Sequence, residues 1–405
     1  MNLRFDDDLE IICAAHLLAK WNHMTFKTID FTRKPMSLVG VVVLFAVIIP
    51  PAIHFPAAHS QTLHGKLSLS NPLVSRWEYG TDQTLNLTPA VREGAVYLPL
   101  AAGNLIALRL SDGKLDWRAE MGGDITASPA SDERAVYVAS QTVTPLEYAA
   151  RTEGTLRALS RNSGVTLWSR TLPSPLKGFI AVDETGLFGS GGDGQFYAFE
   201  KETGKTRWVL SLSAPLTTSL TSTAGSIYVG SRDGFVVSIE KNSGTNRWRY
   251  QTPGLLVTSL AVGNNRVYVG TAEGFVLALD ESTGNLIWRA RNGSGIQSLA
   301  VTAQGIIAAS SDNFVYLLST RRGRRIWKRQ LSGRVTAAPA VLSQQAFFCP
   351  LAGEECVVVD LKSGRKVNRL VVGEDNNTSA SPQVAGNLLL VTTRRGLLAF
   401  SNPDS

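Results

Sequence analysis

The sequence predicts an all-β chain closed into an eight-bladed β-propeller of four-stranded antiparallel blades. Three observations carry that prediction. A tryptophan returns roughly every 40 residues. A glycine precedes it by four residues in unit after unit. The last unit also lacks one strand, while one surplus strand stands in front of the first unit.

Composition permits such a ring. The chain has 405 residues, 44% hydrophobic and 18% charged, which suits a sizeable core and excludes wholesale disorder. Three cysteines are too few for a small disulfide scaffold. The five histidines are His16, His23, His54, His59 and His64, so no imidazole serves as base or metal ligand after residue 64.

The first sixty residues stand apart. Leu38–Ile49 (LVGVVVLFAVII) is an uncharged apolar run behind Arg33 and Lys34, and Ala58-His59-Ser60 offers a small-residue exit before Gln61. Basic flank, short apolar run and small-residue exit match a secretory signal peptide. An uncleaved anchor is the second reading, because the run is shorter than the roughly 20 residues of a membrane span. Residues 1–35 are long for a basic flank, so Met24 or Met36 is an alternative start. The expected division is therefore 1–60 as N-terminal extension with signal peptide or anchor, and 61–405 as one propeller domain. On either reading the propeller lies outside the cytoplasm, periplasmic or anchored facing the periplasm of a bacterial envelope. Residues 1–60 hold five Lys/Arg and five Asp/Glu, so the net charge of +7 belongs to the rest. That balance weakly favours anionic surfaces or acidic partners, and export argues against nucleic acid. A monomer is expected.

The repeat runs from Trp77 through Trp117, Trp168, Trp208, Trp248 and Trp288 to Trp327, with spacings of 40, 51, 40, 40, 40 and 39 residues. Its best-formed unit reads Val267-Tyr268-Val269-Gly270, Glu273-Gly274, Phe275 to Asp280, Thr283-Gly284, Trp288. That order describes a β-branched strand, a turn, an apolar strand, a glycine turn and a strand carrying Trp. A strand of small and hydroxyl residues precedes each unit, as in Ile125-Thr126-Ala127-Ser128-Pro129. Four short strands per unit make one propeller blade, with the small residues crowded at the axis. The turn glycines are Gly113, Gly164, Gly204, Gly244, Gly284, Gly323 and Gly364, placed where positive φ is favoured. Trp, four residues on, lays its ring into the seam between blades. After Gly364 the position is Asn368, so that seam loses its Trp. The last unit stops at Ser405 without a fourth strand, and Val74–Tyr79 with Trp77 supplies it, which removes two exposed edges.

The pattern Ala278-Leu279-Asp280, Gly284, Trp288 resembles the tryptophan-docking motif of pyrroloquinoline-quinone-like (PQQ-like) propellers, over essentially all of residues 74–402. Within that family the chain is closest in character to the non-catalytic BamB-like outer-membrane assembly proteins. The resemblance implies an exported scaffold for protein or peptide partners in the cell envelope, working in outer-membrane protein assembly, with no catalytic residue and no cofactor or metal. Two alternatives stay open: a quinoprotein dehydrogenase holding PQQ and calcium, and a periplasmic ligand sensor. The dehydrogenase branch typically has adjacent cysteines, which this chain lacks, and its turn carboxylates Asp112, Asp193, Asp233, Glu273 and Asp312 read as ordinary turn residues. BamB-like proteins are lipidated at a Cys directly after the signal peptide, whereas here no Cys lies between Cys13 and Cys349.

Irregular features carry the candidate sites. The 51-residue spacing puts about 11 extra residues near Gln141–Glu153, including Val143, Pro145, Leu146, Tyr148 and Arg151. Pro145, Leu146 and Tyr148 on a projecting loop are candidates for partner recognition, against an insertion folded onto its own blade. Cys349 and Cys356 flank a predicted hairpin with Ala352-Gly353 at its turn, which opposes them within disulfide range. Two buried thiols are the other reading. Basic residues on outer strands read first as edge protection, but Arg321, Arg322, Arg324 and Arg325 exceed that need and mark a candidate contact for an anionic membrane surface or acidic partner.

Overall fold

The computed structural model describes residues 67–145, 150–218, 220–252, 256–374 and 376–403, all within the unit Thr62–Ser405. The signal-peptide reading, the boundary at residue 60, and Leu146 and Tyr148 lie outside the described residues. Eight sheets succeed one another along the chain, six of four antiparallel strands and two, in blades 2 and 3, with one further short strand, and no helix occurs among the described residues. Blade 1 spans residues 90–120, and blade 7 spans 340–371. Blade 8 takes Gln383–Ala385, Leu388–Thr393 and Gly396–Ser401 from the C-terminal end. Its outermost strand is Val74–Gly80, paired antiparallel from Val74↔Ser401 to Gly80↔Gly396. The ring is thus closed by its two ends, and the sheet edge each end would expose is filled.

No single core fills the molecule. Buried apolar residues form eight clusters, and each cluster draws on two neighbouring blades. Tyr268, Val276 and Ala278 of blade 5 meet Ile306, Ala308 and Tyr316 of blade 6, for example. Sandwiching each blade between two others explains why the second and third strands are apolar on both faces.

The tryptophans organise those seams. Every outer strand carries a β-bulge just before its Trp position, so the residues Arg76, Asp116, Leu167, Arg207, Arg247, Ile287, Ile326 and Val367 are extra residues in the ladder. Each indole then reaches the next blade. Its N–H donates to a turn carbonyl there: Trp77 to Leu110, Trp117 to Arg161, Trp168 to Lys201, Trp208 to Lys241, Trp248 to Glu281, Trp288 to Thr320 and Trp327 to Leu361. Its ring lies on the following blade's turn glycine. A Cβ on Gly284 would sit 2.6 Å from the Trp248 ring, and Gly284 holds φ +74°. The glycine is therefore required twice, by backbone conformation and by close approach. The partner of each Trp is not the glycine four residues before it but a glycine 35 to 37 residues after it, or 47 across the blade-2 insertion from Trp117 to Gly164.

The alanine of the docking motif has a similar reason. Ala278 pairs with Trp288 on one side and Tyr268 on the other. Its small side chain lets the two rings meet across it, with centroids 6.0 Å apart. Tyr97 and Trp117 meet in the same way across Ala107, at 5.8 Å.

The first strand of blade 2 departs from the expected simple strand. Asp124–Ile125 and Ala130–Ser131 pair within blade 2, but Ala127–Ser128 pairs in parallel with Gly178–Phe179 of blade 3. Pro129, which has no N–H to give a ladder, sits at this switch.

Charged clamps reinforce the seams on the same side as the docking turns. Arg161 reaches back to Tyr97 at 3.1 Å and Glu93 at 3.2 Å, and Lys201 lies 3.7 Å from Asp132. Lys241, only 3% exposed, donates to Asp183 of the preceding blade. Burial pushes the Asp183 carboxyl up, but hydrogen bonds from the Lys241 ammonium and from Thr185 outweigh it and hold the group below the usual carboxylate range.

Two outcomes follow for stability. Gly284→Ala combines positive-φ strain with a clash against Trp248 and should cost about 2–4 kcal/mol, read as a lowered urea midpoint. Because the folded pKa of Asp183 lies below its unfolded value, its contribution is present above about pH 4 and is lost as pH falls through the folded pKa. Lys241→Ala should cost about 2–3 kcal/mol at pH 7, discounted for the partial exposure of Asp183, and should flatten the acid limb of the stability profile measured by chemical denaturation.

Candidate functional site

The turn carboxylates occupy separate blades, and Asp112, Asp193, Asp233 and Asp312 are used by their own turns. Asp193 accepts the Gln195 N–H, and Asp312 accepts the Phe314 N–H and the Tyr316 hydroxyl. Asp233 accepts the hydroxyls of Ser213 and Ser231; burial pushes its carboxyl up, and those two bonds bring it below its ordinary value. Among the described residues no three of His, Cys, Asp and Glu come together as a metal site would require.

The insertion of blade 2 is a ribbon rather than a loop. Strands Ala135–Pro145 and Ala150–Ser160 stay in register through Thr142↔Glu153, Val143↔Thr152, Thr144↔Arg151 and Pro145↔Ala150. Their neighbours stop earlier. Asp124–Ile125 reaches only Gln141, and Thr166–Leu172 reaches only Gly154. Along four residues on each edge of the ribbon, the outward-facing N–H and C=O groups of alternate residues therefore meet no strand among the described residues. Thr142, Val143 and Thr144 are exposed, Val143 at 51%. Arg151 and Glu153 pair along one strand at 2.7 Å. Threonine and valine favour this extended form, and Pro145 ends one edge by withholding a donor.

On blade 7, Cys349 and Cys356 are joined by a disulfide with Cα atoms 4.3 Å apart. The ladder ends one pair earlier, at Phe348↔Val357. The expected tight turn at Ala352-Gly353 is not formed, because residues 351–354 bend away and the Leu351 N–H donates to the Arg334 carbonyl. Asn377 holds the bend from the blade-8 side, donating to the Pro350 carbonyl at 2.7 Å.

The outer-strand cations separate into two sets that the sequence alone did not distinguish. In one set a cation just after the Trp position covers the residue that opens the third strand. Arg249 lies 3.3 Å from the Phe235 ring centroid, Arg289 5.2 Å from Phe275, and Lys328 4.9 Å from Phe314. In blade 1 the covered residue is Asn104, bonded to Arg118 at 2.9 Å, and in blade 7 it is Glu355, 3.5 Å from Arg369. The recurrence of a cation one residue after Trp was the available signal. Arg321, Arg322, Arg324 and Arg325 form the other set, all exposed at the last turn of blade 6. No ion pair or side-chain hydrogen bond engages them among the described residues. Pro145 ends its strand at the ribbon tip, far in sequence and blade order from this turn, so the two groups of candidates form two separate surfaces.

The family described as outer membrane protein assembly factor BamB matches residues 74–151, 152–260 and 254–403. No curated protein sequence matches the chain. Among solved structures, BamB from Moraxella catarrhalis shares the fold at a TM-score of 0.68 and 16% identity, covering 82% of this chain and 98% of that one. A computationally designed protein, Ika8, reaches 0.70 at 16% identity, over 81% of this chain and 99% of its own. The quinohemoprotein alcohol dehydrogenase from Comamonas testosteroni reaches 0.63 at 12% identity, covering 82% of this chain and 77% of that one. An assembly factor, an enzyme and a designed ring thus share one architecture, so likeness of fold leaves function to the sites.

Proposed function

The chain belongs to the family of the outer membrane protein assembly factor BamB, and from that premise we propose that it is a non-catalytic scaffold of the cell envelope. It is exported, acts in the periplasm, and binds protein partners engaged in outer-membrane protein assembly. The observation that carries this reading is the blade-2 ribbon. Its two open edges offer extended backbone for strand addition, the mode in which main-chain hydrogen bonds give affinity and alternate side chains give selectivity. Of the candidates, Pro145 ends one strand of this ribbon, and Leu146 and Tyr148 follow it in the sequence. The non-enzymatic assignment is supported by the dispersal of carboxylates among separate turns and by the absence of histidine after residue 64.

Two experiments test the proposal. Residues 142–153 are replaced by Asn-Gly, so that Gln141 and Gly154 close a two-residue hairpin of ordinary blade length. Affinity capture from envelope extract with the full chain should recover outer-membrane assembly components, and the shortened chain should lose them while melting within about 3 °C of the original. Recovery of the same proteins by both chains would remove the ribbon from the proposal, and recovery of none by either would overturn the assembly role. Separately, the protein incubated with PQQ and calcium should show no dye-linked alcohol oxidation above the cofactor alone. Saturable oxidation would establish the dehydrogenase reading instead.

A further inference from the structure

The last turn of blade 6 differs from those of blades 3, 4, 5 and 7 in a way that points outward. In blades 3, 4, 5 and 7 the residue four before the turn glycine is a carboxylate that binds its own turn. Glu200 accepts the Thr203 hydroxyl at 2.8 Å, Glu240 the Ser243 N–H at 2.7 Å, Asp280 the Thr283 N–H at 2.9 Å and Asp360 the Ser363 N–H at 2.8 Å. In blade 6 that residue is Ser319, whose hydroxyl takes only the Arg321 N–H at 3.3 Å. The turn has lost its built-in negative charge and gained four guanidiniums, Arg321, Arg322, Arg324 and Arg325. Like charges this close in sequence repel, and no carboxylate among the described residues is paired with them.

Apolar side chains border this turn. Ile326, 51% exposed, is the bulged residue of blade 6, and the bulged residues of the two adjoining blades are Ile287 at 43% and Val367 at 42%. Three neighbouring blades thus present an exposed branched apolar residue at one repeat position, where Arg76, Asp116, Arg207 and Arg247 stand in four of the other blades and Leu167, also exposed, stands singly in blade 2. Edge protection explains charge at this position but not its replacement by apolar residues on three consecutive blades. The N-terminal stretch enters the ring beside the same sector, with Leu67 and Leu69 buried against Phe347 and Leu370 of blade 7.

We propose that the rim of blades 5–7 docks on an anionic phospholipid surface. The four arginines at the blade-6 turn meet lipid phosphates, and Ile287, Ile326 and Val367 enter the boundary between headgroups and acyl chains. A fluid bilayer suits this arrangement better than an acidic peptide does. The cations are exposed and not fixed around a cleft, and the apolar residues form a row rather than a pocket. The inference shares only the envelope location with the proposed assembly role and does not depend on the ribbon.

Co-sedimentation of the full chain with vesicles of phosphatidylglycerol and phosphatidylcholine, against pure phosphatidylcholine, tests it. The ratio of the two affinities cancels any contribution of the apolar run Leu38–Ile49, which is common to both. The original protein should favour the anionic vesicles at least about tenfold at low salt, with the preference shrinking at physiological ionic strength. Arg324→Glu with Arg325→Glu should abolish the preference, and Ile326→Ser should lower affinity for anionic vesicles about threefold to tenfold. The charge-matched pair Lys177→Glu with Lys205→Glu, exposed on blade 3, should change the ratio less than twofold. Arg324 and Arg325 make no side-chain bond among the described residues, so the ring should keep its melting temperature. No anionic preference in the original protein, or equal loss in the blade-3 control, would overturn the proposal. So would retention of an acidic protein partner, but not of vesicles, by this turn.

Discussion

The contact on which this ring depends is an indole laid on the next blade's turn glycine. It does three things at one point. The ring covers a backbone that no side chain protects, the indole N–H satisfies a turn carbonyl, and the bulge before the Trp lets the outer strand turn far enough to place it. Because each Trp acts on the following blade, the contact couples neighbours instead of stabilising one blade by itself. The clamps follow the same direction. Arg161, Lys201 and Lys241 supply the carbonyls that the indoles bind, and their side chains return to the preceding blade. A seam is therefore a single device with a polar and an apolar half.

That device explains why the architecture was legible in the chain. A contact that recurs at seven of the eight seams imposes the same glycine and the same Trp at a nearly fixed period, and such a period is visible in one sequence. The ring closure was legible for the complementary reason, that a missing strand and a surplus strand match. What was not legible lies off the period. The indoles' true partners, some 36 residues downstream, needed the three-dimensional turn. The cations on Phe235, Phe275 and Phe314 looked like edge protection until their rings were seen beneath them. The blade-2 insertion was legible as extra length, but whether it formed a loop or a ribbon depended on which neighbouring strands stopped short of it.

Sites and scaffold are divided along the same line. Residues that repeat are used by the ring. The unpaired ribbon edges, the disulfide-joined bend of blade 7 and the blade-6 turn do not repeat, and each departs from its counterparts in the other blades. A fold that serves an enzyme, an assembly factor and a designed protein can do so because the seams leave those connections unconstrained.

The one seam without a Trp shows how far the device can be replaced. Asn368 stands at the docking position of blade 7, and blade 8 has no turn to receive an indole, since its third and fourth strands come from opposite ends of the chain. The amide of Asn368 instead donates to the carbonyls of Leu69 and Asn71, and Asn402 binds Ser68 and Pro72 from the other side. Residues 67–72 thereby stand in for the missing turn, held by side-chain amides rather than by covalent continuity. An indole needs a glycine-lined turn of fixed shape, whereas an amide can bridge two separate stretches of backbone through both donor and acceptor. The loss of Trp at this one position is thus a consequence of closing a ring with the two ends of a chain, and the seam it serves is the one that depends on the N-terminal segment staying bound.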